Sequence, residues 1–180
     1  MSSRPACPLL RWSLRALALA AGMACTNLTV AEAEFEPCLD EPSLQQALER
    51  LNEVRREVAA PCITEAATLP PLSLEERLAS AAWEQAADLA QRDALSHVDS
   101  RQRGLGARLR SVGYPMAGAG ENLAAGQTNF DDALAAWLAS PKHCANLMTR
   151  DYRDVGLACV QRRGTRYERF WVMQLAVPRA

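Results

Sequence analysis

The stretch that most restricts the fold lies near the C-terminus. Between Arg166 and Val177, apolar residues occupy both parities: Phe170 and Val172 on one, Trp171, Met173 and Leu175 on the other. Successive side chains of a strand point to opposite faces, so a strand with one wet face alternates apolar and polar. A strand that is apolar on both faces has to be covered on both. Val155 to Gln161 is β-branched enough for a neighbouring strand, and Arg162-Arg163-Gly164-Thr165 reads as the hairpin turn between them. Helices on either side of a central antiparallel sheet follow, giving an α+β fold of the three-layer α/β/α sandwich type.

The rest of the chain supplies those helices. Ser43, with Gln46 three residues on, makes a capping box, and Leu44, Ala47, Leu48, Leu51, Val54 and Val58 recur at helical spacing until Pro61. Residues 63–72 form a loop closed by Leu69-Pro70-Pro71-Leu72. Ser73 and Glu76 make a second capping box, opening an alanine-rich helix that ends near Leu95. Leu74, Leu78, Ala81, Ala82, Gln85, Ala86 and Leu89 share its inner face, with Trp83 at the rim of the core. Leu105 to Val112 is a short third helix, ended by Gly113 with Pro115 beyond. Met116 to Gly120 reads as small and flexible. Asp131 or Asn129 caps a fourth helix through Ala133, Leu134, Trp137 and Leu138, which Pro141 breaks.

The first 33 residues are of a different kind. Arg4, Arg11 and Arg15 precede the apolar run Ala16 to Ala24, which is too short to span a bilayer, and Ala31-Glu32-Ala33 has the small-x-small form of a cleavage site. Residues 1–33 therefore read as a secretory signal peptide and 34–180 as one domain, periplasmic or exported, with no transmembrane segment in the mature chain. Cys25 after Gly22-Met23-Ala24 leaves a second route, a lipoprotein acylated on that cysteine, although Gly22 stands where a large aliphatic residue is usual.

Cleavage after Ala33 lowers Lys plus Arg from 20 to 17 and Asp plus Glu from 21 to 20, for a net charge of −3. That balance carries no electrostatic footprint for nucleic acid. Arg101, Arg103, Arg108 and Arg110 read as a solvated helix face. Cys38, Cys62, Cys144 and Cys159 remain, an even number suited to an oxidising compartment. Of the three possible pairings, Cys38–Cys62 with Cys144–Cys159 is favoured, because each pair brackets one structural unit, at about 3 kcal/mol per bridge.

The candidate site is centred on Gly120-Glu121-Asn122. This stretch lies between the only two histidines of the chain, His97 and His143. Two neutral imidazoles and a carboxylate suit a divalent metal or a proton-transfer site. The spacings carry no metal-ligand signature, so the competing reading is that each residue makes its own local hydrogen bonds. For Asn122 a structural role is expected, its amide satisfying backbone groups in a buried turn.

Taken in order, Leu51-Asn52-Glu53-Val54-Arg55, Leu69-Pro70-Pro71-Leu72-Ser73, Ser96-His97, Gly113-Tyr114, Gly120-Glu121-Asn122-Leu123-Ala124, Trp137 to His143, Asn146-Leu147-Met148, Val155-Gly156 and Phe170-Trp171 resemble the CAP superfamily. That superfamily holds the cysteine-rich secretory proteins, insect venom antigens and plant pathogenesis-related proteins, and the chain is most similar to its short bacterial members. The resemblance implies an α/β/α sandwich and a cleft of two histidines and two acidic residues, often holding a divalent metal. His97, Glu121 and His143 match three of the four, and Ser140 stands where the fourth, a glutamate, is expected. Ser140 is a poor zinc ligand, so a metal such as zinc held by His97, Glu121 and His143 would be weak and exchangeable.

The resulting expectation is a secreted monomeric binding module whose cleft takes a small ligand, lipid or cell-envelope component, with metal optional. The alternative is a metal-assisted hydrolase in the same cleft, with Glu121 as general base, or with Ser140 as nucleophile and His143 as its base. No His-Glu-x-x-His and no Gly-x-Ser-x-Gly occurs to strengthen it.

Overall fold

The computed structural model describes residues 35–56, 62 and 69–179. The leader, the stop at Pro61 and residues 63–68 of the expected loop lie outside them. In chain order the elements are β1 (Glu36–Pro37), α1 (Glu41–Arg56), β2 (Ser73–Leu74), α2 (Glu76–Arg92), α3 (Leu105–Ser111), β3 (Met116–Ala125), α4 (Phe130–Ala139), α5 (Pro141–Leu147), β4 (Asp154–Gln161) and β5 (Arg169–Pro178).

The fold is α+β, built on one sheet of order β1-β4-β5-β3, with β2 added to β4. All pairings are antiparallel except the two-residue β2–β4 contact, which is parallel. The apolar parities of β5 explain the layers. Trp171, Met173 and Leu175 join Leu51, Val54, Leu134, Trp137 and Leu147 of α1, α4 and α5. Phe170 and Val172 pack with Ala82, Ala86 and Leu89 of α2, and Ala176 packs with Leu78, Ala81 and Leu109 of α2 and α3. Each fully buried large side chain contributes roughly 1.5–3 kcal/mol, so β5 is the strand on which both layers depend.

Several local expectations are corrected. Asp40, not Ser43, caps α1: its Oδ1 accepts from Ser43 N at 3.0 Å. Ser73 is not a cap, because its N–H donates to Arg153 O at 2.8 Å and draws it into β2. Glu75 takes the cap of α2 instead. That helix ends at Arg92, where Asp93 turns left-handed (φ 49°). Of the two candidates for the cap of α4, Asn129 takes it, accepting from Asp132 N at 2.9 Å as expected of one of the pair. Pro141 both stops α4 and opens α5, where its missing N–H costs nothing. The largest departure is Met116 to Gly120. This stretch is the first half of β3 and pairs with β5 from Met116↔Pro178 through Ala125↔Phe170. Ala and Gly have weak strand preference, and the ladder to β5 overrides it.

The disulfides also differ from the favoured pairing. They join Cys38 to Cys159 and Cys62 to Cys144, rather than Cys38 to Cys62 and Cys144 to Cys159. The cause is the sheet. Pro37 pairs with Val160, and Cys38 N donates to Cys159 O at 3.0 Å, so the arm before α1 lies beside β4. Cys62 is then left to meet the buried Cys144 of α5. Sequence separations of 121 and 82 residues close long loops, worth about 4.5–5 kcal/mol each by chain entropy, more than the short loops would give.

Gly156 of β4 is where α2 sits directly on the sheet: a Cβ there would lie 2.2 Å from the backbone carbon of Leu78. Because the obstacle is main chain, it has no rotamer escape. Gly156→Ala is expected to cost about 3 kcal/mol, the upper end for overpacking, and to lower the melting temperature by roughly 10 °C. Gly164 has open space around it and only a positive φ of 79°, so Gly164→Ala is expected to cost about 1 kcal/mol. Thermal unfolding of the two variants checks the order.

Candidate functional site

Glu121 and Asn122 are neighbours on β3, so their side chains leave opposite faces of the sheet. β3 pairs only with β5 and forms one end of the sheet. The site is therefore two half-sites, one on each side of an edge strand.

On the α2/α3 side, the Glu121 side chain is 2% exposed and that of Arg108 1% exposed. Arg108 Nη2 donates to Glu121 Oε2, and Gln174 Nε2 of β5 donates to the same oxygen at 3.1 Å. Glu121 Oε1 faces His97 Nδ1 at 3.0 Å. Nδ1 is the ring nitrogen turned to the carboxylate, which leaves Nε2 as the one turned away from it. The His97 side chain is 59% exposed. A fixed imidazole is thus presented to solvent by a buried carboxylate.

The loop that carries His97 is held at several points. Arg108 Nη1 donates to the carbonyls of His97 and Arg103, at 3.0 and 2.9 Å. Gln85 Nε2 of α2 donates to Ser96 O at 2.7 Å. Asp99 accepts the backbone N–H groups of Arg101 and Arg103 and the Arg103 Nε. Burial pushes the Asp99 carboxyl up, and the Arg103 bonds outweigh it, holding it below the ordinary value. Arg108, expected on a solvated face, is instead the buried partner of the site, while Arg101 and Arg110 are exposed.

On the other side, Asn122 Nδ2 donates to His143 O at 2.9 Å, and its Oδ1 accepts from Asn146 Nδ2 at 2.8 Å. Tyr152 donates its hydroxyl to Asn146 Oδ1 at 3.1 Å. Gly120 allows this approach, since a Cβ there would lie 2.0 Å from Asn146 Oδ1. The far end of α5 is fastened by Arg55, buried in α1, whose Nη1 donates to Leu147 O at 2.6 Å and Thr149 O at 3.2 Å. Burial, then the charge of Arg153, lowers the Arg55 pKa to about 10, so it remains a cation at neutral pH. Cys62–Cys144 ties down the residue next to His143. Ser140 joins α4 to α5, and its hydroxyl does not cap α5.

His143 is half-buried. Burial, and then the nearness of His97, hold its pKa below the ordinary 6.5. The two imidazoles are thus close enough that charge on one disfavours charge on the other. Among the described residues no three His, Cys, Asp or Glu groups are placed to hold one metal ion. Both oxygens of Glu121 already accept hydrogen bonds. Glu121 therefore orients His97 from behind rather than acting as a ligand beside it.

The family model for the cysteine-rich secretory protein family, CAP, matches residues 48–175. The chain belongs to the CAP family. A domain of an extracellular protein of Bacillus anthracis described as containing an SCP domain is similar to it, with a TM-score of 0.61 and 25% identity over 74% of this chain and 39% of that one. An outer surface protein of Borrelia burgdorferi has a TM-score of 0.68 at 17% identity, over 80% of this chain and 98% of that one, and shares the fold. The uncharacterized protein YkwD of Bacillus subtilis (strain 168) is 26% identical over 93 residues, 52% of this chain and 36% of YkwD. This CAP chain thus spans little more than a third of the Bacillus proteins it matches. Among its described residues no helix is long and apolar enough to cross a membrane.

The proximity of the imidazoles has a measurable consequence. A depressed His143 pKa means that the folded state binds fewer protons than the unfolded one below pH 6.5. Its share of stability is therefore present above pH 6.5 and lost as pH falls through the folded pKa. An NMR titration is expected to place the His143 midpoint below 6.5 and to move it upward in His97→Ala. A midpoint unchanged by His97→Ala would contradict the proximity.

Proposed function

We propose that this CAP domain is an extracellular binding module whose rim, formed by His97 and His143 at the β3 edge, takes a small polar ligand or cell-envelope component. A divalent cation is optional there. The observation that supports the reading is the exposed His97 imidazole fixed by the buried Glu121, itself neutralised by the buried Arg108. A buried ion pair is costly to build and gives little net stability, so it is worth most where it holds a functional group in place. In its neutral form His97 turns an Nε2 lone pair outward, and burial, then the nearness of His97, disfavours the charged form of His143, which offers a second. The described extracellular and surface locations of the Bacillus anthracis and Borrelia proteins agree with export of this chain, as does a pair of long-range disulfides. Residues 1–33 would be the export signal.

Catalytic readings lean on Glu121 as a base or Ser140 as a nucleophile. Glu121 is held by three partners. Ser140 Oγ has no hydrogen bond to a base among the described residues. Binding is the reading the geometry favours. Calorimetric titration of Zn²⁺ into the protein tests the rim. The expected result is one weakly held ion per chain, lost in the His97→Ala/His143→Ala variant. Equal heats from both proteins would remove the rim as the cation site, and none from either would remove the cation from the reading.

A further inference from the structure

A cavity of about 350 Å³ lies on the α2/α3 side, walled by α2 and by the loop between α2 and α3. One wall is Trp83, 37% exposed and one of three exposed large apolar residues among those described. The other walls are charged, and the charges balance: Glu84, Asp88 and Asp99 against Arg101, Arg103 and Arg108. Most of them are already paired. Arg103 bonds Asp99 and approaches Glu84, Asp88 pairs with Arg92, and Arg108 pairs with Glu121. A second observation concerns Arg108, which is fully buried, contributes to this wall, and has an Nε–H without a partner. That Nε–H is closed off from solvent, so the wall residues a ligand meets first are the exposed Trp83 and Arg101.

We infer that this cavity binds a neutral pyranose sugar, one or two rings in size. The electronegative face of an indole attracts the weakly positive C–H face of a pyranose and hides apolar area from water. The hydroxyl rim of the sugar both donates and accepts, which suits carboxylates with spare lone pairs beside guanidinium donors. Balanced, paired wall charge gives no net field to favour an anion or a cation over a neutral ligand. The volume lies at the small end of ligand pockets. Among the described residues Arg101 is the wall cation without an acid partner, which leaves its guanidinium available to a sugar hydroxyl. The inference does not rest on the histidine rim.

The test is saturation-transfer NMR on the 180-residue chain with methyl glucoside, N-acetylglucosamine and maltose. At least one sugar is expected to receive saturation at its ring C–H protons, with a dissociation constant on the order of 1 mM. Trp83→Ala is expected to weaken it by about tenfold, equivalent to about 1.4 kcal/mol. The exposed Arg101→Ala is expected to weaken it less, and far-ultraviolet circular dichroism checks that both variants are folded. No transfer to any of the three sugars, transfer unchanged in folded Trp83→Ala, or glucuronate or glucosamine binding more tightly than the neutral sugars would overturn the inference.

Discussion

The ion pair between Arg108 and Glu121 is the interaction on which the site depends. Removing both charges from water carries a penalty of several kcal/mol per ion, recovered only with good geometry and further hydrogen bonds. Those bonds are present and come from separate elements. Gln174 of β5 serves Glu121, while Arg108 of α3 serves the carbonyls of His97 and Arg103. One guanidinium therefore binds α3, the loop before it and β3 together. The orientation of the His97 imidazole follows, because among the described residues its hydrogen-bond partner is the carboxylate that Arg108 holds.

The opposite face works by a different chemistry. There the junction is neutral: Asn122, Asn146 and Tyr152 satisfy one another and the His143 carbonyl. The Arg55 cation holds the last carbonyl of α5, on Leu147, and that of Thr149 just beyond it, where a helix C-terminus favours positive charge. Strand alternation is what links the two halves. A one-residue slip in the β3–β5 register would exchange Glu121 and Asn122 between faces and take both networks apart. The double coverage of β5 and the bridge from Cys62 to Cys144 resist such a slip. The site is thus as rigid as the sheet beneath it, which suits presentation of fixed groups to a ligand.

Much of this architecture is legible in the sequence where side chains decide it. Both parities of Phe170 to Leu175 required the three layers. What was illegible depends on partners distant in the chain. Met116 to Gly120 has the composition of a flexible segment and becomes a strand only because β5 offers it a ladder. Ser73 has the pattern of a cap but meets β4 first. Cys38 pairs with Cys159 because the N-terminal arm folds back on β4, which no local spacing reveals. Arg108 stood among four arginines of like appearance, and only burial separates it from Arg101 and Arg110. Its helical spacing offered one usable signal: it lies three residues after Leu105 and four before Val112, both packed against the core.

The most direct test is a double-mutant cycle on the buried pair, read by chemical unfolding. Arg108→Met leaves Glu121 buried without its cation and is expected to cost about 3–5 kcal/mol. Adding Glu121→Gln should recover part of that loss, because the uncompensated charge is gone, giving a coupling of about 1–3 kcal/mol. Strictly additive losses would contradict the account, since they would mean that Arg108 and Glu121 support the fold independently and that nothing locks His97 in place.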